Sequence, residues 1–333
     1  MEGATLKKET IETKHEEFIH DVAFDFYGDR VATCSSDFSI CIFGSSDGGD
    51  KTKLSGHIKS HEGPVWRIRW ADPIFGPLLV TCSADKTIKF FSEETNIPGV
   101  DSRWNVEHTF TQLKECSDIK FAPKRFGFKL AAVQRDAPGQ LIVFAPGSRT
   151  NLDTCSIKAQ IKVSDFGSNC LDWEPEGIDN GEMIVVGSNT ETDEQLGRKP
   201  LPINENEKTE EVTGEELRIF GISGAKITPI INLHSSKGHN GSIKDVAWAP
   251  QNGKTYHTIA SCADDSKVII WRFDTGNDEG NFGSKKSKNE CKFSISKIVD
   301  FESDEIWRIK WNITGVKLIG ISNTADETLK SIV

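Results

Sequence analysis

The sequence predicts an all-β fold, a six-bladed β-propeller. Three observations predict it. One short-strand grammar recurs six times. An acidic turn residue precedes the end of the following strand by a constant six residues, as in Asp37 to Phe43, Asp85 to Phe91, Asp265 to Trp271 and Asp326 to Ile332. The aromatic that closes the first strand of each repeat falls at positions 24, 70, 121, 173, 248 and, last, 311. Those spacings fit a blade of ~40–45 residues with loop insertions. Radial repetition lets 333 residues form one domain, because each blade packs only on its neighbours.

Each repeat is an apolar strand, a turn, a small-residue strand, an acidic turn and a second apolar strand. In order, the three strands are 19–24, 32–37 and 39–43; 64–70, 80–85 and 87–91; 118–121, 130–133 and 141–144; 170–173, 184–189 and 217–220; 243–248, 259–265 and 268–271; 306–311, 318–322 and 329–332. Runs of this length, rich in Val, Ile, Thr and aromatics between turn residues, read as antiparallel strands. A fourth, outer strand is expected at 51–54, 107–111, 157–163, 228–233 and 293–298. The blades then span about 15–54, 61–111, 117–163, 168–233, 239–298 and 303–333, after an N-terminal segment 1–14. Residues 190–216 hold nine acidic against three basic side chains, and this insertion reads as a disordered loop. Residues 276–288, rich in Gly, Asn, Ser and Lys, read the same way.

Composition narrows the function. There are 40 basic and 50 acidic residues, a net charge of −10. Phosphate binding needs a basic face, so nucleic acid and anionic membrane are not expected as direct partners. No stretch approaches the ~20 apolar residues of a membrane span. Residues 1–17 are polar and do not read as a signal peptide. The eight cysteines form no C-x-x-C pair, which suggests free thiols in cytosol or nucleus.

His239, Ser261, Asp264 or Asp265, and Trp271 imitate a Ser-His-Asp triad. The same positions partly recur in the second repeat as His61, Thr81, Asp85 and Phe91. A catalytic set occurs once, whereas a structural hydrogen-bond set recurs with the blade, so His239, Ser261, Asp265, Trp271, His61 and Asp85 read as a turn-locking network. Cys34, Cys82 and Cys262 share one repeat position and read as small buried hydrophobes. His57 and His61 have the spacing of a helical zinc pair, but Gly56 and Gly63-Pro64 argue against a helix. Asn240-Gly-Ser and Asn312-Ile-Thr match the glycosylation pattern, which is idle without secretion. The cluster 285–288 reads as a solvated loop. With no phosphate loop, dinucleotide fingerprint or paired carboxylates, neither an enzyme nor a cofactor is expected.

Trp66 and Trp307 each precede a strand-closing Trp by four residues, and period two puts both pairs on one face. Core pairs are the expected outcome. The alternative is that either Trp reaches the end of the propeller and meets a partner. The chain stops at Val333, just after the sixth repeat's third strand. An open edge must be protected. Either residues 9–13 wrap round to supply a strand, or a partner adds strands by β-augmentation.

Longer strings carry a resemblance. His20-Asp-Val-Ala-Phe-Asp-Phe-Tyr-Gly28, with residues 32–37, resembles the first blade of the WD-repeat family of Seh-one and Sec-thirteen. Trp307-Arg-Ile-Lys-Trp-Asn-Ile-Thr-Gly315, Phe121-Ala-Pro-Lys124 and Met183-Ile-Val-Val-Gly-Ser188 look like the Seh-one branch. His61-Glu-Gly-Pro-Val-Trp66 and Asp245-Val-Ala-Trp-Ala-Pro250 are equally similar to Sec-thirteen. The resemblance implies an open six-bladed propeller completed in trans by a partner's blade, inserted between the first and last blades. The Seh-one branch implies an α-solenoid nucleoporin as that partner and the other subunits of the Y-shaped nuclear pore scaffold. It also implies a second post in a GATOR-type complex regulating TOR signalling. The corresponding locations are the nuclear envelope, the lysosomal or vacuolar surface, and the cytoplasm. The Sec-thirteen branch implies the COPII outer coat. A propeller enzyme or a peptide-reading WD adaptor is the alternative of another class. The sixth repeat lacks the family's closing Trp, and 134–139 expand the third repeat's turn. The partner-binding residues expected from this reading are Ile19, Val22 and Phe24 in the first repeat, and Ile306, Trp307, Ile309 and Trp311 in the sixth.

Overall fold

Every repeat begins with a strand whose regular alternation is broken once. The computed structural model describes residues 11–45, 52–94, 103–145, 154–175, 181–189, 217–233, 238–274, 292–300, 305–322 and 330–331. Over these the chain forms six antiparallel sheets, the blades of an all-β propeller. It divides into two compact units, Met1–Leu113 and Lys114–Val333.

The first unit holds two blades. Blade one is β1 (Ile19–Phe24), β2 (Arg30–Ser35), β3 (Ser39–Ser45) and β4 (Thr52–Lys59). Blade two is β5 (Val65–Trp70), β6 (Leu78–Ser83), β7 (Thr87–Glu94) and β8 (Arg103–Thr111). The second unit holds blades three to six. Blade three is β9 (Cys116–Phe121), β10 (Leu130–Gln134), β11 (Gly139–Ala145) and β12 (Ser156–Ser164). Blade four is β13 (Ser168–Trp173), β14 (Glu182–Ser188), β15 (Leu217–Ser223) and β16 (Lys226–Leu233). Blade five is β17 (Ile243–Trp248), β18 (His257–Ala263), β19 (Lys267–Asp274) and β20 (Lys292–Asp300). Blade six is β21 (Ile306–Trp311), β22 (Leu318–Ser322) and β23 (Lys330–Ser331), with no fourth strand among the described residues. Strands pair in sequence order, as hairpin connections require.

The core lies between blades, so the second strands are buried on both faces and read as continuous apolar or small-residue runs. In the first unit Ala32, Cys34 and Ile42 of blade one meet Ile68, Leu79 and Phe91 of blade two. In the second unit Ala131 and Val133 meet Leu171 and Trp173; Met183 and Val185 meet Val246 and Trp248; Ala260 and Cys262 meet Ile306, Ile309 and Leu318.

The break in alternation is a β-bulge. The register shifts between Ile19 and Asp21, Val65 and Arg67, Ser168 and Cys170, Ile243 and Asp245, Ile306 and Arg308, and on β10 between Val133 and Gln134. The second residue of each first strand is therefore extra, and a bulge re-aims its side chain. This overturns the expectation that Trp66 and Trp307 form core pairs with Trp70 and Trp311. Trp66 is half-buried and tilts against His20 at 4.5 Å between ring centroids. Trp307 is 44% exposed, with Lys244 Nζ 4.9 Å above its ring.

His57 lies on β4 and His61 in the turn after it, so the two share no helix. Of residues 9–13, the first two lie outside the described residues, and Ile11 packs on the cluster of Val31, Cys41 and Phe43 in blade one. Residues 190–216, 276–288 and Asp326 lie outside the described residues.

Candidate interaction faces

Three blades carry the same buried relay between the approach to the first strand and the turn after the second. In blade five Trp271 Nε1 donates to Ser261 Oγ at 2.9 Å, and Ser261 Oγ lies 2.8 Å from His239 Nε2. His239 Nδ1 lies 3.0 Å from Asp265 Oδ1. A carboxylate only accepts, so Nδ1 carries a proton, and in the neutral imidazole Nε2 accepts from the serine hydroxyl. Asp265 also accepts from the Asn240 and Lys267 backbone N–H groups. Blade two repeats this with Thr81 on His61 Nε2 at 2.7 Å and His61 Nδ1 on Asp85 at 2.8 Å; Phe91 packs edge-on to His61 where blade five has its Trp. Gly63 and Gly241 follow their histidines by two residues, and a Cβ there would press on the Asp85 and Asp265 backbone N at 3.1 and 2.9 Å. The relay is closed to a substrate in this conformation, because Ser261 is fully buried and its hydroxyl is held from both sides.

Blade one carries a third relay that the sequence reading missed. His15 Nε2 meets Thr33 Oγ1 at 2.8 Å, and its Nδ1 meets Asp37 at 3.1 Å and Ser39 Oγ at 2.9 Å. The signal was present: His15, His61 and His239 each stand four residues before their first strand, which begins at 19, 65 and 243. Burial pushes Asp37, Asp85 and Asp265 upward, but the hydrogen bonds they accept outweigh it and hold all three below the usual carboxylate range. Burial raises the thiols of Cys34 and Cys262 strongly and that of Cys116 to about 12, the behaviour of inert core cysteines.

Successive blades are joined by a second repeated device. Asp21, Asp118 and Asp245, third in their first strands, accept from the backbone N–H of Ile68, Leu171 and Ile309 in the following blade at 3.2, 3.1 and 3.0 Å. Conversely, the sixth residue reaches back. Trp70, Trp173 and Trp311 donate Nε1 to the carbonyls of Ala23, Lys120 and Ala247 in the preceding blade. The fourth and sixth residues of a first strand thus face the preceding blade. The second strand turns its small residues towards the following one.

That polarity identifies two uncovered faces. Ile68, Leu171 and Val246 are fully buried in the fourth position, but Val22 is 50% exposed. In the sixth position Trp173 and Trp248 are buried, but Phe24 is 64% exposed; Ile19 is exposed beside them. Among the described residues, blade six is exposed on its other side. Ile319 and Ile321 occupy the register of Ala260 and Cys262, which are fully buried, yet are 39% and 54% exposed. Three expected partner residues need correction. Ile306 and Ile309 are buried against blade five, and Trp311 packs there too with its indole N–H on Ala247. The two faces of a blade are not equivalent. A strand that is uncovered in the first blade is covered in the last, where the open face belongs to the second strand. Trp307 remains accessible through its bulge.

The WD-repeat family model, "WD domain, G-beta repeat", matches residues 7–44, 51–92 and 231–272. The chain is 30% identical to Nucleoporin SEH1 of Xenopus tropicalis, with 93% of this chain and 80% of that protein covered. Nucleoporin SEH1 of Homo sapiens is likewise 30% identical over the same shares, and that of Danio rerio is 29% identical, covering 93% and 79%.

Proposed function

The chain belongs to the family of nucleoporin SEH1, and on that premise we propose that it is a non-enzymatic scaffold subunit of the nuclear pore, held by a partner whose strands cover its two uncovered blade faces. The observation that carries this reading is the exposure of Val22, Phe24, Ile319 and Ile321 at positions that other blades bury. Fully burying such a side chain is worth about 1.5–3 kcal/mol, and these begin roughly half-exposed, so a partner covering four of them gains several kcal/mol. Main-chain hydrogen bonds add register and apolar pockets add specificity. The partner in this reading is an α-solenoid nucleoporin of the Y-shaped scaffold, with the other subunits of that complex attached through it. The family resemblance also implies a second post in a GATOR-type complex, acting on TOR signalling at the lysosomal or vacuolar surface, and the proposal extends to it. Direct contact with nucleic acid and insertion into membrane are not part of the proposal.

Affinity purification of the tagged chain from its own cells, with mass spectrometry, tests it. Recovery of Y-scaffold nucleoporins with the native chain, and their loss with Val22→Asp or Ile321→Asp, is expected. Recovery of COPII outer-coat protein in their place would make the chain a coat subunit. Undiminished recovery with both variants would remove the two faces from the reading.

A further inference from the structure

The joint between blades three and four shows how one lysine is gripped twice. Lys120 is the fifth residue of β9. Its Nζ lies 2.9 Å from Asp172 Oδ1, on β13 of the following blade. The next residue, Trp173, donates its indole N–H to the Lys120 carbonyl at 3.0 Å. Leu171, just before them, is fully buried with Trp173 in a cluster that includes Ala131 and Val133 of β10. An aliphatic–acid–Trp triplet therefore reads an apolar second strand, a lysine ammonium and the same lysine's backbone. The carbonyl half of this grip recurs where Trp70 meets Ala23 and Trp311 meets Ala247, each at 3.1 Å.

Blade six presents the same receiving half. Lys310 is the fifth residue of β21 and pairs with Ile319, as Lys120 pairs with Ala131. Arg308 pairs with Ile321, as Asp118 pairs with Val133. Lys310, Ile319 and Ile321 are exposed. Arg308 lies 3.9 Å from Asp245 of blade five, so Lys310 supplies the exposed charge; the face is apolar and cationic, and its complement is apolar and acidic. Resting on the reading that a partner's strands cover this face, we infer that the covering strand carries an aliphatic residue, an acidic residue and a Trp in succession. The carboxylate stands opposite the Lys310 ammonium. The indole lies over Ile319 and donates to the Lys310 carbonyl. The aliphatic side chain covers Ile321. A Phe or Tyr in the Trp position would leave that carbonyl without its ring N–H donor.

Site-specific photocrosslinking separates this inference from the reading beneath it. Trp307 of the tagged full chain is replaced by p-benzoylphenylalanine, the cells are irradiated, and the crosslinked peptide is sequenced. In parallel, the affinity of the captured partner is measured for the native chain, Lys310→Met and Lys310→Glu; Lys310 is exposed, so both variants should fold and melt like the native chain. The expected result is a strand containing an acid followed by Trp. Binding should weaken about tenfold or more with Lys310→Glu and less with Lys310→Met. Changing the partner's acid to Lys should restore affinity for Lys310→Glu. A crosslinked strand without that triplet, or undiminished binding by Lys310→Glu, overturns the inference while leaving the docking face intact. A crosslink only to this chain or a second copy of it, or none at all, overturns both.

Discussion

Replacing Ser261 by Ala should cost about 2–4 kcal/mol of stability while leaving partner binding by the folded protein unchanged. Ser261 Oγ accepts the Trp271 indole N–H and donates to His239 Nε2, and all three side chains are buried. Each net hydrogen bond is worth about 0.5–1.5 kcal/mol, and each buried polar group left unsatisfied costs roughly 1–3 kcal/mol. The two effects overlap, which sets the total below their simple sum. At roughly 2–4 °C per kcal/mol for a unit of this size, the melting temperature should fall by roughly 4–16 °C. Differential scanning calorimetry reads it directly. Ser261→Thr is the matched control, because Thr81 and Thr33 hold the same register position in blades two and one and bond His61 and His15 there. It should keep most of the native stability. Two results would refute the reasoning: an Ala variant that melts within about 1 °C of native, or a Thr variant as damaged as the Ala one.

Acid should find the three turn carboxylates. Asp37, Asp85 and Asp265 are depressed in the folded state, so their stabilisation is complete above the ordinary carboxylate value near 4 and is lost as pH falls through their folded values. The melting temperature should drop steeply below about pH 4, and a flat profile from pH 5 to about 2 would contradict this. Asp118→Ala removes the acceptor for the backbone N–H groups of Ile119 and Leu171 and should cost about 1–3 kcal/mol, seen as faster hydrogen exchange at Leu171; unchanged exchange would exclude the aspartate as the joint. Lys86 sits at φ 65°, where a non-glycine residue is strained, so Lys86→Gly should be neutral or stabilising by a few tenths of a kcal/mol and Lys86→Val destabilising, both read by urea titration. Cys116 should resist alkylation in the native state and react only on unfolding; modification at native rates would show an open thiol.

Secondary structure was legible because each strand announces itself locally. The alternation of apolar residues, the closing aromatic and the Asp turn are contacts within a few residues, and all six sheets fall where those signals lie. The outer strands were legible in place but not in length. Thr52–Lys59 runs well past the expected 51–54, since polar residues on an outer strand do not mark where pairing stops. The relay in blades two and five was legible because His, hydroxyl and Asp recur at matching offsets. His15 escaped although its offset matches, because Glu17 stands where the Gly of the other two repeats stands.

The sequence alone determined the repeat, the six sheets, the family and the polar set that locks the turns. All of these rest on local spacing. Only the tertiary structure decided which face of each blade is covered, and the bulge is the reason. One inserted residue re-aims Trp66 and Trp307, and blade stacking makes the two faces of a strand unequal. Identical positions are therefore buried in blades four and five and uncovered in blade one. The same stacking moved the open face of blade six from Ile306 and Ile309 to Ile319 and Ile321, because burial depends on which neighbour follows in space, and no spacing along the chain encodes that.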